Sequence, residues 1–111
     1  MESKDALLAL AALAQPTRLE AVRCLVRVAP GGIAAGVLAD RLAVPANTLS
    51  SHLNVLSRAG LVQSERSSRS IVYRVSLERL RGLILFLLED CCAGRAELCD
   101  PLLVDLAVCR A

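Results

Sequence analysis

Cys91, Cys92 and Cys99 place three thiols within nine residues of a chain that contains one histidine, His52. Thiolate selects soft acceptors, whereas magnesium, calcium and manganese are held by oxygen donors. Three sulfurs with no imidazole beside them suit an ion content with three bonds. Trivalent arsenic or antimony is such an ion, its lone pair completing a pyramid of three sulfurs. Zinc would need a fourth ligand. Cys109 is available for that role, so a zinc-stapled interaction module remains an alternative. A free cysteine is more often a small buried hydrophobe than a ligand. Glu89, Asp90, Arg95, Glu97 and Asp100 around these three argue against that here, and an odd total of five cysteines argues against a disulfide framework.

Adjacent residues of an α-helix point about 100° apart, so Cys91 and Cys92 share an ion only if the helix frays there. Gly94 supplies the freedom to do so, and residues 95–98 then bring Cys99 back. The same thiols could serve a redox switch instead, with Arg95 favouring a thiolate. Cys24 lies mid-helix beside Leu25 and reads as a packing residue, and Cys109 in its apolar tail reads as incidental. No cysteine opens a phosphate-cradling Cys-x5-Arg loop and no Cys–His partnership is in view, so the chain does not read as an enzyme, and it calls for no organic cofactor.

Those thiols must be carried by a frame, and composition bounds it. One hundred and eleven residues make a single domain, 1–111, with residues from about 91 onward as a cysteine-bearing tail. Apolar residues are 55% of the chain and aromatics 2%, with only Tyr73 and Phe86, so the core must be leucine, valine and alanine. That favours packed helices. So large an apolar share exceeds what one small core buries, and a dimer is the simplest cover. The longest strongly apolar run, Leu83 to Leu88, is far short of the ~20 residues that span a membrane. The opening Met-Glu-Ser-Lys-Asp is not a signal peptide's basic-then-apolar pattern. A cytoplasmic protein is expected, in which thiols stay reduced. Residues 57–81 carry Arg58, Arg66, Arg69, Arg74, Arg79 and Arg81 against Glu65 and Glu78, whereas the tail is acidic. A basic middle fits one face meeting phosphate.

Asp5 to Ala14 reads as a helix apolar on every side, which implies burial on every side. Pro16 suits the first position of a second helix to about Val28, with Leu19, Val22, Leu25 and Val26 inward. Ile33 to Leu42 reads as a third helix with Val37, Leu38 and Leu42 inward. Pro45 to Ala59 reads as a fourth with Leu49, Leu53 and Leu56 inward, stopped by Gly60. Two such helices joined by Ala43-Val44 make a helix-turn-helix, whose second helix can lie in the major groove of DNA. Leu61–Glu65 and Ile71–Val75 read as a hairpin joined by a basic polar connection, residues 66–70. Ser76 caps a fifth helix, Leu77 to about Cys92, with Leu80, Leu83, Ile84, Leu87 and Leu88 on its apolar face and Leu85 and Phe86 partly outside it. The surplus again suggests a helix shared between subunits, which puts Leu7, Leu10, Leu83 and Leu87 at or near an interface.

Ser50-x-His52-Leu53-x-x-Leu56-x-x-Ala59-Gly60-Leu61-Val62 resembles the recognition-helix signature of the ArsR/SmtB repressors. Pro16-Thr17-Arg18-Leu19 is similar to that family's second-helix start, and Tyr73 falls where it often carries an aromatic. The resemblance covers about residues 6–88. It implies a mainly α (α+β) winged helix-turn-helix of order ααααββα, a homodimer through the first and fifth helices, and repression of operator double-stranded DNA. Asn47, Thr48, Ser50, Ser51 and Asn54 would reach bases or phosphates. His52 would join them or serve as a packing group, and Arg66 and Arg69 would meet phosphates or the minor groove unless they merely form a solvated turn. The family's arsenite sensors often carry thiols in the third helix, and its zinc, cobalt and nickel sensors carry Asp and His on the fifth. Neither set is present here. The arrangement Cys91-Cys92 … Cys99 resembles arsenic-responsive members with thiols just after the fifth helix, implying As(III) or Sb(III) as inducer.

Overall fold

Ala6, Ala9 and Ala12 line the inward edge of the first helix, α1 (Ser3–Leu13), while Leu7, Leu8 and Leu10 point away from the protein's own core. Small side chains inward let the helix approach closely. The structure, a computed structural model, describes residues 1–89. The expected end of the fifth helix at Cys92, the clustered thiols Cys91, Cys92 and Cys99, and Cys109 lie outside the described residues.

Pro16 starts α2 (Pro16–Val28), and the Gln15 side chain caps it by accepting from the Arg18 N–H at 2.8 Å. Ala21, Val22 and Leu25 are its buried residues. Leu19 and Val26, expected inward, face outward instead. Two residues expected to open the third helix form a strand. β1 (Ile33–Ala34) pairs antiparallel with β3 (Ser70–Val75), Ile33 lying opposite Tyr73. The chain reaches β3 closely because of Gly32, where a Cβ would stand 2.6 Å from the Tyr73 carbonyl oxygen. The order is therefore ααβααββα, and the sheet runs β1-β3-β2 with β2 (Val62–Ser67) on the outer side.

α3 (Ala35–Leu42) buries Leu38 and Ala39, whereas Val37, expected inward, is exposed. Its end is an αL turn at Ala43 (φ 54°), where the Ala43 N–H donates to the Asp40 carbonyl and the Val44 N–H to that of Ala39. Pro45 then leads into α4 (Ala46–Arg58), whose Leu49, Leu53 and Leu56 are buried at 1% exposure or less. α4 closes with the same hydrogen-bond pattern. Gly60 (φ 77°) donates to Ser57, and Leu61 donates to Leu56. Burying six leucines fully (Leu25, Leu38, Leu49, Leu53, Leu56 and Leu61) is worth about 1.5–3 kcal/mol each.

The strands of the hairpin extend further than their apolar residues suggested. Arg66 pairs with Ile71 inside the ladder, and only Ser68 and Arg69 remain as the turn, with Ser68 at φ 58°. α5 (Leu77–Leu88) starts from Ser76, whose hydroxyl accepts from the Arg79 N–H at 3.2 Å. Its inward edge is Leu80, Leu83 and Phe86, and Ile84, Leu85 and Leu87 face out. This reverses the expected roles of Ile84 and Phe86. The reason is period: positions 80, 83 and 86 sit over the core below the wing, leaving 84, 85 and 87 on the far side. Leu83, expected at a subunit interface, is 4% exposed within the protomer and belongs to its own core.

Ala43 pays a left-handed cost that a glycine there would not, of about 1–2 kcal/mol. Part of the gain is offset by the extra entropy of an unfolded glycine. Ala43→Gly is expected to raise the melting temperature by about 2–6 °C at fixed protein concentration, checked by circular dichroism. Gly32→Ala should lower it, because β1 cannot approach β3 past the added methyl.

Candidate nucleic-acid interface

With Leu49, Leu53 and Leu56 turned inward, the opposite edge of α4 is fixed by geometry. Asn47, Thr48, Ser50, Ser51 and Asn54 are all exposed along it, as is Arg58 one turn further on. The amide side chain of Asn47 accepts from the Thr48 N–H at 3.0 Å, and the Ser51 hydroxyl donates to the Asn47 carbonyl at 3.4 Å. These bonds steady the start of the helix and leave the other polar atoms outward. Short polar side chains on an exposed helix edge can reach base edges without large entropic loss.

His52 is set apart from this edge. It is half-buried, and its Nδ1 faces Arg18 Nη1 at 3.3 Å. It therefore packs between helices, the alternative that its apolar neighbours had left open. Arg18, which lies outside the apolar stripe of α2 in the sequence pattern, turns inward, where its Nε donates to the Ala12 carbonyl at 2.5 Å. A half-buried arginine with carbonyl partners leaves no trace in a periodicity count, so the sequence carried no direct signal for it. Arg58 was visible as a basic residue but had not been assigned to the interface.

The wing supplies the charge. Residues 63–71 are exposed throughout. Arg74 is neutralised by Glu65 across the strands, Nη1 to Oε2 2.7 Å. Among the described residues, Arg66 and Arg69 have no such carboxylate partner. Register places Arg66 on the same sheet face as Tyr73 and Val62, the face that packs on the core at its base and emerges at its tip. Arg69 occupies the turn. The two cations thus stand at the end of the ribbon, free to meet phosphate.

Leu7 (67% exposed) and Leu87 (53% exposed) lie on outward faces of α1 and α5, helices that pack on each other. Leu10, Leu8, Ile84 and Leu85 share this apolar exposure. Among the described residues no group of three or more His, Cys, Asp or Glu side chains is placed to hold an ion. No described helix is long and apolar enough to cross a membrane.

A helix-turn-helix whose second helix shows a polar edge, followed by a basic two-stranded ribbon, is a winged helix-turn-helix. Comparison with known proteins places it more narrowly. Residues 13–65 match a family model described as a helix-turn-helix domain. A biofilm growth-associated repressor of Agrobacterium fabrum is 35% identical over 86 residues, covering 78% of this chain and 71% of that protein. The SmtB transcriptional repressor of Mycobacterium tuberculosis is 42% identical over 48 residues, 43% of this chain, and the matched region spans only 36% of that relative's length. Among solved structures, an ArsR-like regulator from Rhodococcus sp. RHA1 superposes with a TM-score of 0.70 at 30% identity, covering 95% of this chain and 92% of that one. A protein described as a possible transcriptional regulator for arsenical resistance gives 0.60 at 31%, covering 72% and 83%. The chain belongs to the ArsR/SmtB family of winged helix-turn-helix regulators, proteins that are not enzymes.

If the unpaired wing arginines meet phosphate, Arg66→Ala and Arg69→Ala should weaken DNA binding by similar factors on different sequences. Each should reduce the slope of log affinity against log salt by about one. Arg74→Ala, already neutralised by Glu65, should change that slope little. Fluorescence anisotropy at a series of salt concentrations checks all three, and a loss confined to one base pair would indicate base reading by the wing.

Proposed function

We propose that the protein is a homodimeric transcriptional repressor that is released from operator DNA when As(III) or Sb(III) binds the thiolates of Cys91, Cys92 and Cys99. The observation that carries the DNA-binding half is the exposed polar edge of α4 beside a wing whose Arg66 and Arg69 have no carboxylate partner among the described residues. The metalloid half rests on donor chemistry. Three sulfurs and no histidine within reach in sequence fit a trivalent thiophile better than zinc. The similarity to a possible regulator for arsenical resistance supports the same reading. The site of action is the cytoplasm, where thiols remain reduced.

The outward leucines of α1 and α5 support the dimer. So many exposed large apolar side chains on two packed helices are costly on a monomer and would be covered by pairing with its own copy about a two-fold axis. Leu7→Glu and Leu87→Glu should then give folded monomers in sedimentation that have lost operator affinity. Leu83→Glu should unfold the protomer instead, because Leu83 is core.

Arsenite in solution is the neutral trihydroxide, so each thiol proton leaves with a departing hydroxide as water. Metalloid affinity should therefore change little between neutral and mildly acid pH, whereas zinc affinity should fall as the thiols hold their protons. An effector needs to favour the non-binding state by only about 1–3 kcal/mol to act at this scale. The test uses a duplex selected from a random pool by the reduced protein, titrated separately with sodium arsenite, zinc chloride and hydrogen peroxide. Arsenite should release it. Cys91→Ser, Cys92→Ser and Cys99→Ser should bind the duplex and fail to respond, since a hydroxyl is the wrong ligand. Cys24→Ser and Cys109→Ser should respond normally. Release by peroxide alone would establish a redox switch, and release by zinc alone a four-sulfur site.

A further inference from the structure

One guanidinium ties three helices together. Arg18 sits in the first turn of α2, its backbone N–H held by the Gln15 side chain at 2.8 Å. Its Nε donates to the Ala12 carbonyl at 2.5 Å and its Nη2 reaches the Ala11 carbonyl at 3.5 Å. Ala11 and Ala12 belong to the last turn of α1, where carbonyls lack partners within the helix. That turn has no basic residue of its own, so Arg18 supplies from α2 the cation that a helix C-terminus favours. The remaining donor, Nη1, faces Nδ1 of His52 on α4 at 3.3 Å.

A guanidinium only donates, so the Nδ1 of His52 accepts in this contact, leaving the ring proton on Nε2. No described carboxylate pairs with Arg18. Its compensation is the carbonyl dipoles of α1 on one side and a neutral imidazole of the recognition helix on the other. The fork is planar and rigid, so a displacement of the α1 terminus must either carry the Nη1 donor with it or break a bond. α1 in turn packs on α5, the helix that leads towards the clustered thiols.

We propose that Arg18 is the positioning residue that couples the α1–α5 pair to the recognition helix through His52. The idea rests on the metalloid reading above for the origin of the signal. The route itself rests on the three distances from one side chain. Lysine at this position would keep the positive charge at the end of α1 but, as a point donor without the fork, would not span both partners.

His52 is the chain's only histidine, so its imidazole resonances report the contact without assignment. In the free reduced dimer, long-range 1H–15N spectra should show an unprotonated Nδ1. Sodium arsenite in wild-type protein, and Arg18→Lys without arsenite, should each shift that signature. Coupling is then read as the ratio of duplex affinities without and with arsenite, alongside arsenite stoichiometry and melting temperature. A typical ratio is about 5–150-fold. Arg18→Lys should bring it to within about twofold of unity while arsenite still binds. His52→Gln, which retains an acceptor, should keep more of the ratio than His52→Leu, and His52→Leu stands in if Arg18→Lys does not fold. A responsive wild type whose Arg18→Lys and His52→Leu forms respond in full overturns this inference alone. A wild type that binds duplex and ignores arsenite overturns the metalloid reading and this coupling with it.

Discussion

Leu49, Leu53 and Leu56 hold α4 by one face, and the direction in which the protein can meet DNA follows from that attachment. Turning the helix by one residue, about 100°, would expose leucines and bury Ser50 or Asn54. Each leucine lost from the core forfeits about 1.5–3 kcal/mol, and each buried polar group without a partner adds about 1–3 kcal/mol more. No plausible gain at the surface competes with that sum. The ends of the helix are fixed with similar firmness. An αL residue at Ala43 brings the chain round from α3, and an αL residue at Gly60 sends it into the wing. The polar edge and the basic ribbon therefore have a set relation before any nucleic acid arrives.

α1 shows a different economy. A helix with alanines facing its own protomer and leucines facing out gains close packing within and keeps most of its apolar area for something else. α5 does the same with Ile84, Leu85 and Leu87. The excess is legible in the sequence, because a helix apolar all round has no solvent face, but the side that faces home is not. Alanine and leucine count alike in a hydrophobic pattern, and only the close approach of helices reveals that the smaller residue is the buried one. In α5 the inward edge follows positions 80, 83 and 86, so Leu83 is core within the protomer and Phe86 and Ile84 exchange roles.

Much of the frame was legible because its signals are local. Pro16 marks a helix start, Gly60 a helix stop, and Leu49, Leu53 and Leu56 a buried edge, and all of these stand where the pattern put them. β1 was missed since two residues carry no periodicity, and its strand character comes from pairing with Tyr73 and Val72 some forty residues away. The wing was read too short because strands were assigned by apolar residues. Serine, glutamate and arginine extend the ladder where both faces meet solvent. The inward seat of Arg18 was unreadable for a related reason: two of its three partners are backbone carbonyls, which have no residue type.

The division of labour along the chain sets how a response can be made. The residues proposed to face DNA lie between positions 47 and 69, and the clustered thiols begin at 91. A packed core does not deform gradually, so the proposed signal from one to the other would move through elements with alternative seatings rather than through the leucines. Helix ends are the natural candidates. Their last carbonyls take partners from beyond the helix, at the end of α1 the Ala14 and Gln15 N–H groups and Arg18, and such bonds can be exchanged without unpacking the core. Few described residues join a helix end to a neighbouring helix in this way. Ser76 caps only its own helix, and Gln15 does the same. Arg18 alone among the described hydrogen bonds reaches from a helix end to the recognition helix. On the proposed reading, the grip on DNA changes by re-seating α1 against α4 through Arg18, with the leucine core intact.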